Sequence, residues 1–325
     1  MKKKKFLSVA QNVIEAEIKS LRKLKLSINN SFNKAVEIIA NCKNGKVIVS
    51  GVGKSGIIAK KISSTFASTG TPSFFLDPSS ASHGDMGQIG LNDVIILISL
   101  SGQSEELKNI IQFVSRNKRI TLIGITSKKD SLLCKNSDIC LLMPNVKEAD
   151  QGNIVPTSST IIQLSIGDAL AIACMKYKKF GKLDFKKFHP GGSLSIKLRT
   201  VEDLMITGKK IPYINENALM KNALKTLSEK KLGVLIVKRK SLTVGILTDG
   251  DLKRSSQKYN NLHNFKIKKL MTKNPTSVSK YMLAAQALSI MNSKKITNLC
   301  VHNKNIKSKT IGIIHIHDIL KANIN

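Results

Sequence analysis

The segment Val47-Ile48-Val49-Ser50-Gly51-Val52-Gly53-Lys54-Ser55-Gly56 constrains this chain more than any other stretch. An apolar, β-branched run ends in a glycine-rich turn, and residues 57–69 continue with apolar side chains at helical spacing. A strand feeding such a turn and helix aims backbone N–H groups and the positive end of a helix dipole at one spot, which suits a phosphate group. Lys54 adds a full positive charge there.

The alternation continues beyond this unit. Strands are predicted over 47–50, 73–76, 94–99, 121–126 and 139–143, with helices over 57–69, 105–117 and 158–178. Residues 6–41 read as one or two helices in front of them. Strands that are apolar throughout and alternate with helices imply the α/β class: a parallel five-stranded sheet sandwiched by helices in three flavodoxin-like layers. Ligands of such sheets collect at the carboxyl ends of the strands. The polar loops fall there, at 51–56, 77–87, 101–104 and 145–159.

From Val201 the pattern changes to two similar halves. Val201-Glu202-Asp203-Leu204-Met205 opens the first, and Gly245-Ile246-Leu247-Thr248-Asp249-Gly250-Asp251-Leu252 closes it. Ile267-Lys268-Lys269-Leu270-Met271-Thr272 opens the second, and Gly312-Ile313-Ile314-His315-Ile316-His317-Asp318-Ile319-Leu320 closes it. A repeat of this length signals paired copies of one unit that bury a shared face.

Composition narrows the function. The formal net charge is +32, yet only six of the 53 basic residues are arginine and the lysines spread along the whole chain. Aromatics are 4% of residues, and no RNP, zinc-finger or helix-turn-helix pattern occurs, so a nucleic-acid partner is not expected. No apolar run approaches the roughly 20 residues of a membrane span, and no membrane partner is expected. The five cysteines lack C-x-x-C spacing and sit mostly in apolar runs, which reads as reduced core thiols in a cytoplasmic protein.

The glycine loop admits three readings. Gly51-x-Gly53-x-x-Gly56, with Asp77 at 21 residues beyond Gly56, formally fits a dinucleotide fingerprint. A lysine among the glycines and Pro78 directly after Asp77 weigh against it. A P-loop fails, because Ile48 stands where Gly53-Lys54-Ser55 would need a glycine. The third reading joins the strand-end loops. Ser99, Ser101 and Ser104 on one, and Thr157, Ser158 and Ser159 on another, place hydroxyls at helix starts beside Ser55, a set suited to one phosphate and sugar hydroxyls. Each loop alone would be ordinary helix capping.

The blocks G-V-G-K-S-G, A-S-T-G-T-P, A-S-H-G-D, S-x-S-G, K-E-A, P-T-S-S-T, G-D-A-L-A and H-P-G-G-x-L occur in one order over 46–194. The two later halves resemble a tandem pair of CBS modules, and the whole chain resembles the D-arabinose 5-phosphate isomerases, a family of sugar isomerase (SIS) domain proteins. That resemblance divides the chain into N-terminal helices at 1–41, a SIS domain at 42–195 and CBS modules at 201–258 and 266–325.

The resemblance implies reversible aldose–ketose isomerisation of D-ribulose 5-phosphate and D-arabinose 5-phosphate through an enediol, feeding synthesis of the Kdo sugar of lipopolysaccharide. The alternatives are a non-catalytic SIS sugar-phosphate sensor or an isomerase of another sugar phosphate. Lys54, Glu106, Glu148 and His189 match the family's catalytic positions, and carboxylate, imidazole and ammonium suit proton transfer, ring opening and charge neutralisation. The family further implies that His189 reaches a neighbouring subunit's site. Gly70, Thr71 and His83 are implied substrate contacts. No cofactor is required, and an incidental or inhibitory zinc at Asp77 is the one metal expected. A homotetramer, and a nucleotide or nucleotide-sugar ligand at the CBS pair through Thr248 and Asp251 or His315 and Asp318, complete the expectations. The chain departs from the family pattern at Leu100 (usually Asn), Gln103 (usually Glu), Asp77-Pro78-Ser79-Ser80 (usually H-P-G-E) and Asp150-Gln151-Gly152-Asn153-Ile154-Val155 (usually C-P-L-G-L-A).

Overall fold

The computed structural model describes residues 2–259, 261–303 and 309–324. Residues 304–308 and 325 of the expected second CBS module lie outside them, as do the side chains of 2–5 and 192–194. The chain forms two compact units, Met1–Phe188 and His189–Asn325.

The first unit begins with helices α1 (Lys2–Ser27) and α2 (Asn30–Asn41), separated where the Asn29 side chain accepts the Ser31 N–H and caps α2. Then follow β1 (Val47–Gly51), α3 (Gly53–Ser68), β2 (Ser73–Phe75), α4 (Pro78–Ala81), β3 (Val94–Ile98), α5 (Glu105–Ser115), β4 (Thr121–Thr126), α6 (Leu132–Asn136), β5 (Ile139–Leu142), α7 (Ser158–Tyr177) and α8 (Lys182–Phe188). The five strands are all parallel, in the order β2-β1-β3-β4-β5. β1 and β3 are buried along their whole length, which is why they read as unbroken apolar runs.

One face of the sheet packs Val47, Val49, Ile96 and Ile98 against α2, α3 and α7 through Ile39, Ile62, Phe66, Ile162 and Ile166. The other packs Ile48, Ile95 and Leu97 against α5 through Leu107, Ile110 and Val114. The N-terminal helices are therefore not a separate domain at 1–41: Leu24, Val36 and Ile39 belong to the sheet's own core. α7 has 20 residues and is apolar enough to span a membrane by length and composition, contrary to the sequence expectation, and half of it is buried inside the protein. Cys134 and Cys140 are joined in a disulfide, which corrects the expectation of five free thiols. Cys174 and Cys300 are free and buried, and burial pushes each thiol up to about 11.

The second unit contains α9 (Gly192–Lys197), β6 (Ile206–Thr207), β7 (Tyr213–Asn215), α10 (Met220–Lys230), β8 (Val234–Arg239), β9 (Leu242–Thr248), α11 (Asp249–Lys258), β10 (Thr272–Lys273), β11 (Ser277–Ser279), α12 (Ala284–Lys294), β12 (Asn298–His302), β13 (Thr310–His315) and α13 (Ile316–Lys321). Its two sheets exchange their first strands. β6, from the opening of the first half, pairs with β13, and β10, from the opening of the second, pairs with β9.

The repeat signature has a steric origin. A Cβ on Gly245 would come within 2.6 Å of the Met271 sulfur, and one on Gly312 within 2.6 Å of the Met205 sulfur. Each opening methionine thus lies across the closing glycine of the other half, so neither half completes its sheet alone.

Candidate active site

The strand order reverses between β1 and β3, and this sets the location of the site. β1 leads through α3 to β2 on one side, whereas β3 leads through α5 to β4 and β5 on the other. The helices leave on opposite faces, and a crevice opens at the carboxyl ends of the two central strands, where ligands of doubly wound sheets bind.

The helix after the glycine turn starts earlier than its apolar pattern predicts. α3 begins at Gly53, so Lys54 and Ser55 sit in its first turn, and Val52 offers no side-chain cap. The α5 start is likewise without a side-chain cap, because the Ser104 hydroxyl pairs with that of Ser99 at 2.9 Å. The Ser99 oxygen also accepts the Gly102 N–H, and the Ser101 oxygen accepts the Gln103 N–H. Two helix starts at neighbouring strands therefore present N–H donors without a side-chain cap among the described residues.

The third helix start differs from the sequence expectation. The α7 donors do not await a phosphate, because Glu148 already holds them. Its Oε2 accepts the Thr157 N–H at 2.8 Å, the Thr157 hydroxyl at 3.1 Å and the Ser159 N–H at 3.2 Å. Burial acts upward on this carboxyl, but the hydrogen bonds from Ser159 and Thr157 outweigh it and hold it below the usual glutamate range. The Glu148 N–H in turn donates to Asn153 Oδ1 at 2.6 Å.

Asp150 folds the rest of that loop by accepting the Ile154 and Val155 N–H groups. The segment that departs from the family pattern is thus tied down by its own polar residues. Ser158 is fully buried, and its hydroxyl has no partner among the described residues.

Two contiguous clefts follow the crevice. One of about 180 Å³ is lined by Val52, Lys54, Ser55, Leu100, Pro156, Ser159, Thr160 and Gln163. The other, of about 300 Å³, has Glu148, Ser101, Lys128 and Asn145 in its walls and shares Leu100 and Pro156 with the first. Lys54 and Glu148 are brought together along this edge. Glu106 stands exposed in the first turn of α5, where an acid suits the helix dipole.

Asp77, His83, Gly70 and Thr71 line neither cleft. His83 is exposed in the turn after α4. Asp77 caps α4, its Oδ1 accepting the Ser79 and Ser80 N–H groups, and among the described residues no group of three or more His, Cys, Asp or Glu could hold a metal.

Gly70 and Thr71 lie before β2, whose first residue Ser73 pairs with Val47 at the amino end of β1. They sit at the opposite edge of the same sheet, roughly 16 Å from the glycine turn by strand rise. There Thr71 Oγ1 accepts from Lys178 Nζ at 2.9 Å. His189 is the first residue of the second unit.

Gln163 was missed by sequence reasoning. Its signal was a lone amide inside the apolar run Ile161-Ile162-Gln163-Leu164.

A parallel doubly wound sheet with a lysine and a helix-held carboxylate at its switch point is the architecture of a SIS domain. The SIS domain family matches residues 38–173, and the CBS domain family matches 201–258 and 267–325. The chain belongs to the arabinose 5-phosphate isomerase family. It is 42% identical over 318 residues to the arabinose 5-phosphate isomerase KdsD of Francisella tularensis, covering 97% of this chain and 96% of that one. It is 39% identical to KdsD of Escherichia coli K12 over 98% of this chain and 96% of the relative. Among solved structures, the c3406 protein of E. coli CFT073, determined in complex with arabinose 5-phosphate, aligns with a TM-score of 0.56 and 36% identity over 58% of this chain and 100% of that one.

Proposed function

We propose that this protein interconverts D-ribulose 5-phosphate and D-arabinose 5-phosphate. The observation that carries the reading is the convergence of Lys54 and Glu148, remote in sequence, on adjoining clefts at the sheet's switch point. The phosphate is received by the N–H groups at the starts of α3 and α5, with Lys54 neutralising oxygen charge.

A carboxylate removes a proton from C1 of the ketose as its carbonyl oxygen gains one. The resulting enediol loses the O1 proton, C2 is protonated, and the aldose is released. Glu148 is the base in this scheme, Glu106 steadies the second proton, and in the reverse direction His189 from a neighbouring subunit opens the furanose ring of the aldose. The steps call only on carboxylate, imidazole and ammonium groups of the chain, and a zinc at Asp77 has no part in them.

The test is incubation of the protein with D-ribulose 5-phosphate in D₂O. Arabinose 5-phosphate carrying deuterium at C2 is expected. An unchanged sugar would overturn the reading in favour of a non-catalytic sensor, and a different deuterated aldose would reassign the substrate.

The wider setting belongs to the same reading. The protein works in the cytoplasm as a homotetramer, and its product enters Kdo and lipopolysaccharide synthesis. The exposed apolar side chains of α1 (Phe6, Leu7, Val9 and Ile14) suit self-association.

The CBS pair takes a nucleotide. A cleft of about 410 Å³ between its halves is lined by Thr248, Arg254, Lys295, Asn298 and His315, supplying cations for phosphate and polar groups for a base. Asp251 and Asp318 do not line it. Asp251 accepts the Thr248 N–H and hydroxyl, and Asp318 accepts the His315 N–H, each closing a capping box.

A further inference from the structure

Five buried side-chain oxygens lack a hydrogen-bond partner among the described residues: those of Ser50, Ser73, Ser158, Gln163 and Asn298. Only Gln163 combines this with a place in the wall of the Lys54 cleft. It lies one turn into α7, is 1% exposed, and its Oε1 accepts nothing. Such an acceptor is costly to leave unmatched in the interior, and native proteins rarely do so without a reason. Its neighbours along the cleft are Lys54, Ser55, Ser159 and Thr160, and among the residues lining the cleft the apolar ones are Val52, Leu100 and Pro156. All the polar neighbours but Lys54 are hydroxyl residues, and a cation beside an empty acceptor calls for an anionic ligand that also carries O–H donors.

We infer that Gln163 is a specificity-determining residue of the isomerase, its Oε1 accepting a hydrogen bond from one hydroxyl of the bound pentose phosphate. This rests on the isomerase reading above. A site built to bond one hydroxyl rejects the analogue lacking it, because the buried acceptor is then left unpaired again. Gln163 thereby measures a hydroxyl of the carbon chain, while the charge at Lys54 answers to the oxygen on which negative charge develops.

The test uses the full chain, with Gln163→Leu and the more flexible Gln163→Met as replacements of matching size. Removing an unpartnered acceptor from a buried position should leave the melting temperature at or above that of the parent, whereas a residue needed for packing would lower it. D-arabinitol 5-phosphate and its single-deoxy analogues serve as non-reacting probes of binding. The parent is expected to bind the full polyol at least tenfold more tightly than one of the deoxy analogues. Both variants should erase that preference for the same analogue while raising KM about tenfold or more.

If both variants keep the parent's discrimination against every deoxy analogue, Gln163 reads no hydroxyl and the inference falls, while the isomerase reading stands on the parent's turnover. If the parent itself neither turns over pentose phosphate nor binds the polyol, the isomerase reading falls first.

Discussion

Replacing Glu148 by glutamine removes a charge and keeps the shape. The amide oxygen can still accept the Thr157 and Ser159 N–H groups, so the α7 start keeps its three contacts but loses their charge assistance. Bonds to a charged acceptor are worth about 1.5–3 kcal/mol against about 0.5–1.5 kcal/mol for neutral ones, and the charge at a helix start adds about 0.3–1 kcal/mol. These terms overlap at one half-buried carboxylate, so the expected loss is about 1–2 kcal/mol, or about 3–6 °C in Tm for a unit of this size.

The sign with pH follows from the lowered carboxyl. Its contribution is fully present above the ordinary value of 4.5 and is lost as pH falls through the folded value below that. The stability gap between parent and Glu148→Gln should therefore be constant near neutrality and close in acid. A gap unchanged below pH 3 would refute the charge argument. In the same preparation, kcat should fall by about 10² to 10⁴, the usual weight of a positioned base. Deuterium incorporation at C2 provides the assay, and parent-like turnover would remove Glu148 from proton transfer. For the parent, the acid limb of kcat/KM should lie below pH 4.5, since that profile reports the free enzyme's base.

Lys54→Met should lower kcat/KM at least a hundredfold with little change in Tm, because the side chain is exposed in the first turn of α3 and supports no packing; a parallel loss of Tm would contradict this. Gly70→Ala should cost about 2–3 kcal/mol, read by denaturant titration, because Gly70 has φ +86° and an added Cβ would overlap the Phe180 ring. Thiol titration of the unfolded chain should count three free cysteines before reduction and five after, and reduction should lower stability by roughly 2 kcal/mol for so short a loop. Five thiols in the unreduced protein would remove the Cys134–Cys140 bond.

Much of the sheet was legible because its order is local. The runs at Val47, Val94 and Thr121 are apolar on both faces, and only a strand covered on both sides has that composition. The glycine turn was legible for the same reason, since glycine, lysine and helix start are adjacent in the chain. The start of α3 was misjudged because periodicity registers only where side chains become buried, and Gly53 to Ser55 lie on the rim.

The amino-acid sequence alone determined the doubly wound class, the repeat and the residue types gathered at the strand ends. Only the tertiary structure decided which groups are already engaged. Glu148 occupies the helix start that hydroxyl residues had seemed to reserve for phosphate, Asp77 caps α4 through its Oδ1, and Gly70 and Thr71 fall at the far edge of the sheet. Likewise the halves of the repeat exchange strands, which the pairing of β6 with β13 and of β10 with β9 makes visible and the placement of Met205 on Gly312 and Met271 on Gly245 accompanies. The physical reason is common to all of these: propensity and periodicity are properties of neighbours along the chain, whereas hydrogen-bond satisfaction and steric fit belong to groups that meet only after the chain has folded.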